Sequence, residues 1–131
     1  MSGVTDLVAL LASMEPVLVP GEFVYATVEG DPASWVHLAP IGTFREAEGL
    51  TLVLPVEAAE RLTTSAPMRM ITLTVHSSLE AVGLTAAISA ALTAENISAN
   101  VVAAYYHDHV FVPAQDAERA LAALKALLRP A

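Results

Sequence analysis

The order of elements from Met68 onward predicts an α+β fold, an antiparallel sheet with helices on one face. Three observations carry this. Met68 to Val75 alternates as a strand, with Ile71, Leu73 and Val75 facing one way and Met70, Thr72 and Thr74 the other. Leu84, Ala87, Ile88, Ala91 and Leu92 then recur at the spacing of one helix face. Two β-prone runs follow, Ser98 to Tyr105 and Val110 to Val112, and Pro113 opens a last helix with Ala117, Ala120, Leu121, Leu124 and Leu128 on its apolar face. Strand, helix, strand, strand, helix is most of a β-α-β-β-α-β unit. The last strand is missing before Ala131, so the first half of the chain or a second subunit is expected to finish the sheet edge.

The first half reads as strands with flanking helices. Asp6 to Met14 has Leu7, Leu10, Leu11 and Met14 on one helical face, and Thr5 or Asp6 can cap it. Pro16 and Pro20-Gly21 end that helix. Glu22 to Val28 alternates as a strand, and Glu29-Gly30-Asp31-Pro32 is a turn. Ser34 to Leu38 fits no single element, and Trp35 is placed over the sheet edge. Ile41 to Glu46 and Leu50 to Leu54 form two strands joined by Ala47-Glu48-Gly49. Pro55 suits the first turn of a helix over Val56 to Leu62, and Thr63 to Pro67 connects to the second half.

Composition narrows the function. The 131 residues suit one domain or two small fused modules. The hydrophobic fraction of 55% is high and leaves apolar surface to hide, which predicts a homodimer. A net charge of -8, with one Lys and five unclustered Arg, argues against nucleic acid and anionic membranes as partners. With no Cys there is no disulfide or thiolate chemistry. The N-terminus lacks the basic region of a signal peptide, and the longest charge-free run, Ala81 to Ala94, is too short to span a bilayer. A soluble cytoplasmic protein is expected.

Polar chemistry concentrates between the last two strands, in Tyr106-His107-Asp108-His109. Asp108 could hold an ammonium or guanidinium group, or it could cap its own backbone in a solvated hairpin turn. His76, His107, Asp108 and His109 are also metal-ligand types, and a metal-assisted enzyme is an alternative, although the spacing matches no zinc pattern. Tyr105 and Tyr106 point to opposite faces of a strand. One is assigned to the core or an interface and the other to the edge of a pocket. A second candidate is the loop Ser77 to Gly83. Free N–H groups at a helix start can receive a carboxylate, and Gly83 permits close approach; an ordinary loop capped by Ser77 or Ser78 is the other reading. Ser77, His76 and Asp108 have the residue types of a catalytic triad, but neighbours on a strand point to opposite faces. No nucleophile elbow, P-loop or dinucleotide fingerprint is present.

Several stretches together resemble a family of small bacterial ACT-domain proteins: Leu10 to Pro16, Thr43 to Val53, His76 to Thr85, Ile97 to Asn100 and Tyr105 to Pro113. That family's modules are similar to those of lysine-regulated aspartate kinases and of arginine-sensing tandem ACT proteins. The resemblance implies two ACT-like, ferredoxin-like modules, a degenerate one over residues 1–66 and a second over 67–131. It implies a non-catalytic regulatory protein that binds a small effector, a free amino acid, where ACT sheets meet. No cofactor is expected. By the resemblance, Ser77, Ser78, Leu79, Glu80, Val82 and Gly83 cradle the effector. Tyr106, His107, Asp108 and His109 face it, and Thr51 lines the opposing module. An interaction module that pairs with an enzyme or regulator through its open sheet edge is a further alternative.

Overall fold

In the computed structural model, which describes residues 7–74 and 83–128, the elements follow in chain order. They are α1 (Leu7–Ser13), β1 (Pro16–Leu18), β2 (Phe23–Val28), β3 (Gly42–Glu46), β4 (Gly49–Pro55), β5 (Thr63–Thr64), β6 (Met68–Leu73), α2 (Leu84–Ala94), β7 (Asn100–Ala103), β8 (Asp108–Pro113) and α3 (Ala117–Leu128). They divide into two compact units. One is Gly21–Met68, and the other joins the residues up to Pro20 to those from Arg69 onward. The second junction, Met68 to Arg69, lies two residues from the expected 66/67, and the residues up to Pro20 group with the second half.

The reason is the missing edge strand. In the unit that holds the C-terminal half, β1 pairs antiparallel with β6, Pro16 opposite Leu73 and Leu18 opposite Ile71. The Val19 N–H donates to Met70 O at 2.9 Å and the Thr74 N–H to Glu15 O at 2.9 Å, so the pairing runs past both ends of β1. The first half of the chain thus supplies the strand, and β8 lies between β6 and β7. Ile71, Leu73, Val110 and Val112 point from this sheet into one core with Ile88, Leu92, Leu124 and Leu128 of the helices, all fully buried. Met14, at the end of α1, is buried in the same core. Burying a Leu or Ile side chain is worth about 1.5–3 kcal/mol, so this cluster dominates the unit's stability. Helix α2 ends where Asn96 turns left-handed (φ 58°) and the Ile97 N–H returns to Leu92 O at 2.9 Å. Arg119 of α3 donates to the Glu95 carbonyl and pairs with Asp116 at 2.9 Å, tying the end of α2 to the start of α3.

The Gly21–Met68 unit has β4 between β3 and β2, and β5 on the other side of β2. Val28 stands opposite Leu50 and Val24 opposite Leu54, so Val24, Ala26, Val28, Leu50, Leu52 and Leu54 share one buried face. Gly49 opens β4 because a Cβ there would stand 3.2 Å from the Val28 carbonyl oxygen. Ser34 to Leu38 belongs to a 3-10 turn, Pro32–Leu38, capped by Asp31. The Ser34 N–H donates to Asp31 Oδ1 at 3.2 Å. Trp35 and Leu38 pack on the buried face of the sheet. The expected helix over Val56 to Leu62 is only a 3-10 turn, Val56–Ala59. So short a segment nucleates poorly, and the pairing of Thr63 and Thr64 with β2 draws the chain into the sheet instead.

Candidate functional site

The polar stretch between the last two strands is not a solvated turn. Asn100 to Ala103 pairs with Asp108 to Phe111, and the last pair of the ladder is Ala103 with Asp108. The turn lies earlier in the chain, closed by the Ala104 N–H donating to His107 O at 3.1 Å. Strand β7 therefore stops short of the expected Tyr105. Tyr105 and Tyr106 sit on the turn, 78% and 64% exposed, with their rings edge to face at 4.9 Å. Each shields part of the other there, and neither is in the core.

Asp108 is the first residue of β8 and is 7% exposed. It shares its sheet face with Val110 and Val112, the inward positions of the strand. No described Lys or Arg forms an ion pair with it. Burial raises its carboxyl above the ordinary 3.8, opposed by the nearby His109 and His107 imidazoles. His109 points the other way, and its Nδ1 lies 2.9 Å from Thr72 Oγ1 on β6. Either the hydroxyl donates to a bare nitrogen or the ring N–H donates to the hydroxyl. Burial lowers the His109 pKa, the neighbouring His107 lowers it further, and Asp108 partly restores it. His107 has a buried Nδ1 without a hydrogen-bond partner among the described residues. The Thr72–His109 contact sets the start of β8 beside the end of β6.

The chain leaves β6 at Leu73 and is described again at Gly83, the N-cap of α2. Gly83 has φ 92°, a conformation that favours glycine, and it offers no side-chain cap. The first-turn N–H groups of α2 thus receive no side-chain cap from their N-cap residue. Ser77, Ser78, Leu79, Glu80 and Val82, and with them His76, lie outside the described residues.

Thr51 belongs to the other unit. It pairs with Phe44 and Thr27 on the sheet face opposite the core, and its hydroxyl donates to Glu46 Oε1 at 2.5 Å. Glu46 in turn lines a cleft of about 580 Å³ between the turn Glu29–Pro32 and the hairpin Arg45–Leu50. Glu29, Asp31, Arg45 and Glu48 line it too, and sequence reasoning missed them as a group. Their signal was the pairing of the strand through Val28 with the strand from Leu50, which brings both turns to one end of the sheet. Among the described residues no three His, Asp or Glu side chains converge to hold a metal.

Two family models, each described as an ACT domain, match residues 2–68 and 65–126. The chain belongs to the ACT-domain family. It consists of two ACT modules with the α+β, ferredoxin-like arrangement of sheet and helices. ACT domains are regulatory modules that bind small molecules, and they are not typically catalytic. The chain is similar to a Vibrio cholerae protein of unknown function, described as a possible transport protein. The two are 52% identical over 97% of this chain and 99% of that one, with a TM-score of 0.86. Its fold is also that of the ligand-free regulatory subunit of aspartate kinase from Thermus thermophilus, at 13% identity, 89% and 98% coverage and a TM-score of 0.61. A putative C-terminal regulatory domain of aspartate kinase from Porphyromonas gingivalis matches at 18% identity, 89% and 98% coverage and a TM-score of 0.60. No curated protein matches the chain. Among the described residues no helix is long and apolar enough to cross a membrane.

Proposed function

We propose that this ACT protein is a non-catalytic sensor of a free amino acid, working as a cytoplasmic homodimer and bound at the start of β8. Asp108 carries the reading. A carboxylate with 7% exposure and no described Lys or Arg paired to it is suited to an ammonium brought by a ligand. The first-turn N–H groups after Gly83, which provides no side-chain cap, take the ligand's carboxylate together with Ser77 and Ser78. In this reading Leu79, Glu80 and Val82 belong to the loop that cradles the ligand, and Tyr106, His107 and His109 flank Asp108. Thr51 is kept in this reading as the residue that lines the opposing module. Binding shifts the balance between two arrangements of an interface, and so passes the signal to a partner enzyme or regulator.

The test is a thermal-shift screen of the twenty amino acids, with Asp108→Ala beside the unaltered protein. A ligand at a hundredfold excess over its Kd stabilises by about 2.7 kcal/mol, which such a screen resolves easily. One amino acid, or a small related group, should raise the melting temperature of the unaltered protein and leave Asp108→Ala unmoved. If no amino acid raises it at about 10 mM, or if Asp108→Ala responds equally, the reading fails.

A further inference from the structure

The Gly21–Met68 unit carries a second cleft, of about 300 Å³, which shares no lining residue with the larger one. It lies between the 3-10 turn Pro32–Leu38 and the segment from Glu57 to Leu62. Trp35 and His37 form part of its lining, with ring centroids 6.3 Å apart and planes inclined by only 22°. The indole cannot swing freely, because its Nε1–H donates to the Glu29 carbonyl at 2.8 Å and its body packs on the core of the unit. Leu38 and Leu62 add apolar surface. Glu57, Glu60 and Arg61 line the same cleft, which leaves one negative charge in excess, and neither glutamate forms an ion pair with Arg61.

We infer that this cleft binds a small organic cation with a flat head, of the amidinium, guanidinium or aminoheterocycle class. The chemistry follows from the lining. The faces of an aromatic platform carry the negative end of the ring quadrupole and attract a cation laid over them. A planar cation gains stacking on the anchored indole as well, which a compact ammonium does not. The two glutamates give the cleft an excess of negative charge and bond the cation's N–H groups, so an anionic ligand of the same shape is disfavoured. A volume of about 300 Å³ is at the small end for ligand sites and suits a molecule of one ring. The platform is held in place before any ligand arrives, so little ordering is left for binding to bear. None of these groups takes part in the Asp108 site, and the inference stands independently of it.

Benzamidine is the probe, because it is a one-ring amidinium. Trp35 is the sole tryptophan of the chain, so its indole resonances and fluorescence report on this cleft and on the Glu29 turn that its Nε1–H bonds, and the Glu57→Gln with Glu60→Gln variant assigns the response to this cleft. Benzamidine should shift that resonance saturably, with a Kd of about 0.1–10 mM, as expected of a fragment-sized ligand. Neutral benzamide, of nearly the same shape, should bind at least about fivefold more weakly, and benzoate more weakly still. Glu57→Gln with Glu60→Gln should weaken benzamidine by about five- to tenfold, with an unchanged circular dichroism spectrum. Asp108→Ala should bind it as the unaltered protein does. The inference is overturned if benzamidine gives no saturable shift, if benzamide equals it, or if the double variant binds it as tightly. Should the double variant not fold, the benzamidine-to-benzamide ratio on the unaltered protein decides by itself.

Discussion

Replacing Asp108 by Asn should make the ligand-free protein more stable at neutral pH, and the gain should vanish in acid. The carboxylate is 7% exposed, it lies on the inward face of β8, and no described cation is paired with it. Burial raises its pKa above 3.8, while His109 and His107 only partly oppose the rise. A carboxyl raised in this way holds its proton more tightly in the folded chain than in the unfolded one. Its stabilising contribution is therefore complete below the unfolded pKa and is lost as pH rises through the folded pKa. Each unit of elevation corresponds to about 1.4 kcal/mol. For a chain of this length that is about 5 °C in melting temperature. Asn keeps the shape and has no proton to lose. Melting curves of Asp108→Asn and the unaltered protein, recorded from pH 3 to pH 8, should converge at the acid end and separate as pH rises, with the variant higher. The reasoning is refuted if the variant melts lower at pH 7 by as much as at pH 4, because Asp108 would then be making native hydrogen bonds that Asn breaks.

Two further outcomes test the frame around the site. Leu124→Ala empties a fully buried position of the core beneath β6 and β8 and should cost about 2–5 kcal/mol in urea unfolding; a loss below 1 kcal/mol would mean that α3 packs elsewhere. Thr72→Val removes the hydroxyl facing His109 and should cost about 1 kcal/mol, since it strands a partly buried ring nitrogen, and a variant as stable as the parent would show that the 2.9 Å contact contributes nothing.

Periodicity made the C-terminal half readable. Ile71, Leu73, Ile88, Leu92, Leu124 and Leu128 are core positions that spacing alone identifies, and all are fully buried. The partner of the sheet edge was not readable, because Pro16–Leu18 is three residues long and flanked by Pro20-Gly21, with no alternation to mark it as a strand. Its pairing with β6 is a contact between residues more than fifty positions apart, which local pattern does not encode. The hairpin was misplaced for a related reason. β-propensity carries Tyr105 and Tyr106 into the strand, but the ladder closes at Ala103–Asp108 and the two rings cover each other on the turn. The acidic cleft of the first module stayed hidden because its two turns are joined only by the Val28–Leu50 register.

The inward positions of β8 are the ground on which we propose a ligand for Asp108. Position 110 is Val and position 112 is Val, both fully buried against the helices. The same alternation calls for an apolar residue at 108, or for a polar residue with a fixed partner, because an isolated buried charge weakens the folded state. His109 has such a partner in Thr72, as a structural polar group should. Asp108 is the more buried of the two but forms no ion pair with a described Lys or Arg. Where one position breaks a pattern that its neighbours keep, and costs stability by doing so, a function that uses the charge is the economical account. The pH dependence of Asp108→Asn measures that cost directly. A ligand bearing an ammonium should reverse it, lowering the Asp108 pKa and binding more tightly as pH rises through it.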